Sequence, residues 1–183
     1  YVTINLLASA LFLIGLGMIY GSVGSLNMAD VGRILPTLDD DQHKLAIAGG
    51  LLLFVVFGIK AAMLPVGFWL PKTYAVASTP VAAIFTIMTK VGIYAILRVN
   101  GTVFDDAMAQ SIFKNTLLLI GLITSIYGVI GAIGAERLRR FVGFMVLSSV
   151  GTLLIAIAMF NTQAWSAGLY YLVHSTLIAA AFY

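Results

Sequence analysis

The sequence predicts an all-α, polytopic membrane helix bundle of about six transmembrane helices, one of them broken at a proline. Three observations predict it. Hydrophobic residues make up 61% of the chain and charged residues 9%, with a mean hydropathy of +1.06, where a soluble domain carries roughly 25% charged residues. Several apolar stretches approach or exceed the ~20 residues that cross ~30 Å of hydrocarbon. The ~10-residue segments of alternating polarity that a membrane β-barrel requires do not appear. The net charge of +3 rests on few residues, so it speaks for membrane topology and not for nucleic acid. There are no cysteines, which excludes disulfides, thiolate metal sites and iron–sulfur ligation.

The first span is expected from about Val2 to Gly24. It lacks a basic n-region and a cleavage site, so it reads as a span and not as a signal peptide. Gly17-x-x-x-Gly21 within it suits close helix packing. In the polar connection that follows, Asn27 can cap a short amphipathic helix with Asp30 three residues on, and Pro36 ends it. Asp39, Asp40 and Asp41 precede the next helix, where carboxylates complement the positive end of its dipole. A cation-attracting vestibule is the other reading of these aspartates. The second span is expected from Leu45 to about Leu70, too long for one straight crossing, and Pro65 breaks it because it cannot donate to the carbonyl of Ala61. Trp69 and Tyr74 read as interface anchors.

Thr79 as N-cap and Pro80 at the first helical position open the third span, which Arg98 closes before a loop containing Asn100-Gly101 and Asp105-Asp106. The fourth span covers about Ile112 to Gly134, with glycines 128, 131 and 134 forming a packing face. Glu136-Arg137-Leu138-Arg139-Arg140 is the densest basic cluster and places its loop in the cytoplasm. Alternation then puts 71–78 on the same side and 25–44 and 99–111 on the other. The fifth span is expected over Phe141–Phe160 and the sixth from Ala164. The chain begins at Tyr1 without Met and stops inside an apolar run, and is expected to be an internal piece of a longer protein.

Two of these spans carry a lysine at a depth where burial is costly: Lys60, five residues before Pro65, and Lys90 in the middle of the third span. An ionisable residue inside a membrane segment marks a proton or ion path by default, and broken helices line cavities in transporters. His174 lies ~15 Å along the sixth span, at a depth similar to that of the lysines. A low dielectric disfavours an amine's charged form, so a buried lysine can exchange its proton where an exposed one cannot. Histidine starts near that range. Hydroxyls at Thr86, Thr89, Ser148, Ser149, Ser175 and Thr176 could hold water between these groups. Two other readings stay open: lysines that serve as interhelical ion-pair partners, and a histidine that serves packing. No metal-ligand cluster, nucleophile–base pair or phosphate loop is present, so neither a cofactor nor enzyme chemistry is expected.

The run Gly58-Ile59-Lys60-Ala61-Ala62, Pro65, Trp69-Leu70-Pro71, Ser78-Thr79-Pro80-Val81 and Lys90-Val91-Gly92-Ile93-Tyr94 resembles the proton-translocating antiporter family. That family comprises antiporter-like subunits of respiratory complex I and of Mrp-type sodium/proton antiporters. Asn5 to Leu13, Leu26-Asn27-Met28-Ala29-Asp30 and His174-Ser175-Thr176-Leu177 resemble the D-type Mrp subunits most. The resemblance implies two inverted five-helix repeats, with residues 1–99 supplying the last three helices of the first and residues 100–183 the truncated start of the second. It implies that Lys60 is the broken-helix lysine, Lys90 the linking lysine and His174 the histidine early in the second repeat's path. Complex I relatives often carry a lysine four residues after this histidine. Here that position is Ile178, which favours Mrp. The implied function is a subunit of a multisubunit sodium/proton antiporter in the cell inner (plasma) membrane, with other antiporter subunits, lipid, protons and sodium as partners. A proton-pumping subunit of a complex I or membrane-hydrogenase type oxidoreductase is the alternative.

Overall fold

Apolar faces that find no water must find lipid or each other, and the computed structural model, which describes residues 2–103 and 107–183, shows both outcomes. Eight α-helices are found among the described residues: α1 (Val2–Val23), α2 (Met28–Ile34), α3 (Asp40–Ala61), α4 (Trp69–Val76), α5 (Thr79–Thr102), α6 (Ala107–Ile133), α7 (Leu138–Ala158) and α8 (Thr162–Ala181), with a 3-10 turn at Leu35–Thr37. Five are long and apolar enough to cross a membrane: α1, α3, α5, α6 and α7. The expected sixth, α8, is 20 residues long but is not among them, because Gln163, Ser166, His174, Ser175 and Thr176 dilute its apolar character. Large apolar side chains such as Leu13, Ile130 and Ile133 face outward, as a lipid-facing surface requires.

Helix ends follow local chemistry. Asn27 caps α2 by accepting from the Ala29 N–H at 3.0 Å, and the Asp39 carboxylate caps α3 by accepting from the Gln42 N–H at 3.1 Å. With Asp39 as its cap, α3 starts at Asp40, five residues before the expected Leu45, and Asp40 and Asp41 lie in its first turn. Ser78, and not Thr79, is the N-cap position of α5, which leaves Pro80 inside the first turn. This helix also runs past Arg98 and through Asn100-Gly101 to Thr102, whose hydroxyl donates to the Arg98 carbonyl at 2.6 Å. The expected Asp105-Asp106 loop lies outside the described residues.

The packing pairs are α1 with α3 and α6 with α7, with α5 lying against α3 and α8, and α4 and α8 against α7. Gly17 and Gly21 meet nothing within 4 Å. The close approach of α1 instead runs through Gly15 and Gly49, where a Cβ on Gly49 would lie 2.9 Å from the Gly15 carbonyl oxygen. The α6 packing face is used at Gly128, where a Cβ would lie 2.5 Å from the Ser148 nitrogen, and at Gly131 against Phe144, but not at Gly134 beyond the helix end. Of the two expected interface anchors, Trp69 is half-buried and Tyr74 turns inward. Tyr74 is fully buried, donates to the Phe85 carbonyl at 2.5 Å and meets the Trp69 ring edge-on.

Two pairs of loops meet. The Arg139 guanidinium donates to the Ala77 carbonyl at 2.9 Å and to the Thr79 hydroxyl at 2.8 Å, so the basic loop and the 71–78 segment share one face of the bundle. A Cβ on Gly32 would lie 2.5 Å from the Thr102 carbonyl oxygen, which joins α2 to the end of α5 on another. Both pairings agree with the alternation expected of the spans.

Candidate functional site

The break in the second span begins before its proline. Ala62 adopts a left-handed φ of 59° and caps α3, while the Met63 N–H returns to the Gly58 carbonyl at 3.0 Å. The chain then runs irregularly until α4 starts at Trp69, with a cis Leu64–Pro65 peptide in between. Pro65 therefore sits inside the break and prevents the helix from resuming, whereas Ala62 ends it. Such a segment must satisfy its freed backbone donors inside the protein. The Leu64 N–H does so across the bundle, donating to the Thr124 hydroxyl at 3.0 Å, and Thr124 is itself fully buried and donates to the Ile120 carbonyl at 2.7 Å.

Lys60 lies in the last turn of α3, half-buried, and its ammonium donates to the Asn5 amide oxygen on α1. It borders two cavities of about 380 Å³ each, one towards Ser9 and Phe12 and one towards Ile87 and Met88. Lys90 is 2% exposed and donates to the Ser149 hydroxyl on α7. Among the described residues the spans hold no carboxylate beyond the first turn of α3, and both lysines bond to neutral partners.

His174 is exposed on α8 and stacks on Tyr170, ring centroids 6.4 Å apart and 12° from parallel. It lines a cavity of about 210 Å³ between α7 and α8, together with Ser149, Tyr171, Ser175 and Ile178. The three ionisable residues thus do not converge on one chamber. Lys60 faces α1, Lys90 faces α7 and His174 faces the α7–α8 cavity. Packing still links their helices. Gly92, two residues past Lys90, would place a Cβ 2.7 Å from the Ala61 nitrogen beside Lys60, and Ser149 joins Lys90 to the cavity of His174.

The expected hydroxyls divide by role. Thr86 and Thr89 are fully buried and donate to the Ala83 and Thr86 carbonyls of their own helix at 2.7 and 2.8 Å. Ser175 and Thr176 both donate to the Leu172 carbonyl, at 3.3 and 2.6 Å. Each spends its proton on the helix and keeps lone pairs free to accept from water or an ammonium. Ser148 packs its backbone against Gly128. Ser149, with its proton on the Val146 carbonyl at 2.7 Å, is the one that accepts from a lysine. Asn5 and Thr124 join the site only through packing, and no local spacing in the sequence marks them.

The family model described as NADH:quinone oxidoreductase/Mrp antiporter, transmembrane, matches residues 1–183. The D-type subunit of a probable K(+)/H(+) antiporter of Rhizobium meliloti (strain 1021) is 43% identical over the whole of this chain and 34% of its own length. The D-type subunit of the Na(+)/H(+) antiporter of Bacillus subtilis (strain 168) is 35% identical over the whole of this chain and 36% of its own. The chain therefore spans about a third of the length of these relatives. Among solved structures, a chain of the Mrp complex from Dietzia sp. DQ12-45-1b superposes with a TM-score of 0.87 at 34% identity, over 99% of this chain and 33% of that one. A chain of the membrane-bound sulfane sulfur reductase, an archaeal respiratory membrane complex, superposes with a TM-score of 0.89 at 22% identity, over 98% of this chain and 36% of that one, and shares the fold.

Proposed function

Because the chain belongs to the NADH:quinone oxidoreductase/Mrp antiporter transmembrane family, we propose that it is part of a D-type subunit of a multisubunit cation/proton antiporter of the plasma membrane. In this reading residues 1–99 close one inverted repeat and residues 100–183 open the next, and protons pass along Lys60, Lys90 and His174. The observation that carries the reading is the pairing of both lysines, one half-buried and one buried, with a neutral partner. An amide oxygen or a hydroxyl accepts from an ammonium without placing a fixed opposite charge beside it. Water in the cavities beside Lys60 and His174 would extend the path, with Ser9 at the first and Ser149, Tyr171 and Ser175 at the second as polar wall residues. Relatives named for potassium and for sodium are both similar to this chain, so the coupled ion is proposed as an alkali cation, sodium being the one that the resemblance to Mrp-type sodium/proton antiporters implies. Ile178 on the cavity wall supports the antiporter reading over a subunit of a redox-driven pump.

The test uses the full-length protein in its complex, in everted vesicles with a fluorescent pH dye. Lys60→Ala is expected to assemble normally on a native gel and to lose cation-driven pH change. Undiminished exchange removes Lys60 from the path. Loss of the complex itself makes the lysine structural.

A further inference from the structure

We propose that Ser149 is a relay residue through which protons cross from Lys90 to the cavity of His174, an inference that rests on the relay reading above and deepens it. Ser149 is 7% exposed and Lys90 2%. The ammonium of Lys90 donates to the Ser149 oxygen, while the Ser149 proton goes to the Val146 carbonyl at 2.7 Å. Lys90 is not part of the wall of the α7–α8 cavity, but Ser149 is, along with Tyr171, His174 and Ser175 as the cavity's other polar residues. Ser149 is therefore the side chain that both touches the buried lysine and reaches the histidine's cavity. With about 210 Å³ of space and four polar wall residues, the cavity can hold several hydrogen-bonded waters.

A hydroxyl suits this position because it accepts and donates at once. As an N–H bond of the Lys90 ammonium breaks, its proton bonds to the Ser149 oxygen. The proton already on that oxygen leaves the Val146 carbonyl and passes to a cavity water. That water gives one of its own protons to the unprotonated ring nitrogen of His174. The step ends with a neutral Lys90 amine, an intact serine hydroxyl, an intact water and a His174 imidazolium, and no other reactant is consumed. Thr86 and Thr89 share the helix of Lys90 but bond to backbone carbonyls and not to the lysine, so they do not substitute for Ser149.

The experiment compares Ser149→Ala, Ser149→Thr and Lys90→Ala in the full-length protein within its complex, by cation-driven pH change in everted vesicles and by native gel. Ser149→Ala is expected to assemble and to lose at least tenfold in maximal exchange rate with the apparent KM for the cation unchanged. Ser149→Thr keeps the hydroxyl and extends one methyl towards the cavity, so it is expected to stay within twofold of wild type. Wild-type exchange in Ser149→Ala, or an equal loss in Ser149→Thr, overturns the proposal. Should Ser149→Ala not assemble, Ser149→Cys decides, because its thiol fills the space and is a poor hydrogen-bond partner. An assembled Ser149→Cys complex with tenfold loss supports the hydroxyl's role, and one at wild-type rate overturns it. Lys90→Ala separates the two levels: its loss alongside an active Ser149→Ala discards the serine alone, whereas undiminished exchange in Lys90→Ala discards the relay reading itself.

Discussion

An ammonium taken out of water loses several kcal/mol of hydration unless protein groups replace it; at buried Lys90 a hydroxyl does so, and half-buried Lys60 has an amide beside it. The amide of Asn5 can accept from a charged lysine through its oxygen and donate to a neutral one through its nitrogen. A carboxylate can only accept. Asn5→Asp places a fixed negative charge beside Lys60 and is expected to leave the complex assembled and to slow exchange several-fold in the vesicle assay, and a wild-type rate would show that a neutral partner is not required there. Thr124 acts on the backbone instead. Thr124→Val keeps shape but leaves the buried Leu64 N–H without its acceptor, at a cost of about 1–3 kcal/mol, read as a lowered Tm of the purified complex. Both lysines are legible in the sequence because charge stands out in an apolar run. Asn5 and Ser149 are not legible as their partners, nor Thr124 as the acceptor for Leu64, since each lies 55, 59 or 60 residues from the group it bonds and becomes its neighbour through helix packing.

At the scale of elements, the break is legible from Pro65, but its start is not. Ala62 in a left-handed conformation is an uncommon choice for a residue with a Cβ, so sequence pattern carries α3 onward to the proline. The reverse error occurs at α5, where Asn100-Gly101 reads as a loop and the helix continues, tied down at Thr102. Glycines mislead in the same way. Spacing marks Gly17 and Gly21, yet only the partner helix decides which glycines are filled against. The structure assigns that role to Gly92, where α5 touches the backbone end of α3 beside Lys60. Gly92→Val must push the helices apart, since the obstructing atoms are the Ala61 nitrogen at 2.7 Å and the Phe57 carbonyl oxygen at 3.0 Å. A loss of about 1–3 kcal/mol is expected from such overpacking, measured as a Tm shift. A Tm equal to wild type would mean that α5 and α3 do not seat this closely.

Across the whole molecule, the contact of Gly92 with Ala61, the Lys90–Ser149 bond and the shared cavity at His174 link three ionisable groups on three different helices. The way each group faces is beyond counting along a helix, because it depends on which neighbour each helix leans on. Among the described residues no carboxylate cluster lies beside them. Asp39, Asp40 and Asp41 gather at the start of α3, and Glu136 lies in the basic loop. In the proposed relay the two lysines and the histidine move protons, and when protonated they repel alkali cations, so the reading puts the choice of exchanged ion elsewhere. If so, damage to the relay must be blind to the cation. Lys90→Ala is expected to lower sodium-driven and potassium-driven exchange by the same factor, at least tenfold, with the ratio of the two rates left at its wild-type value in the vesicle assay. A ratio that changes with the substitution would place cation selection at Lys90, and proton transfer and ion choice would then share one site instead of communicating across the bundle.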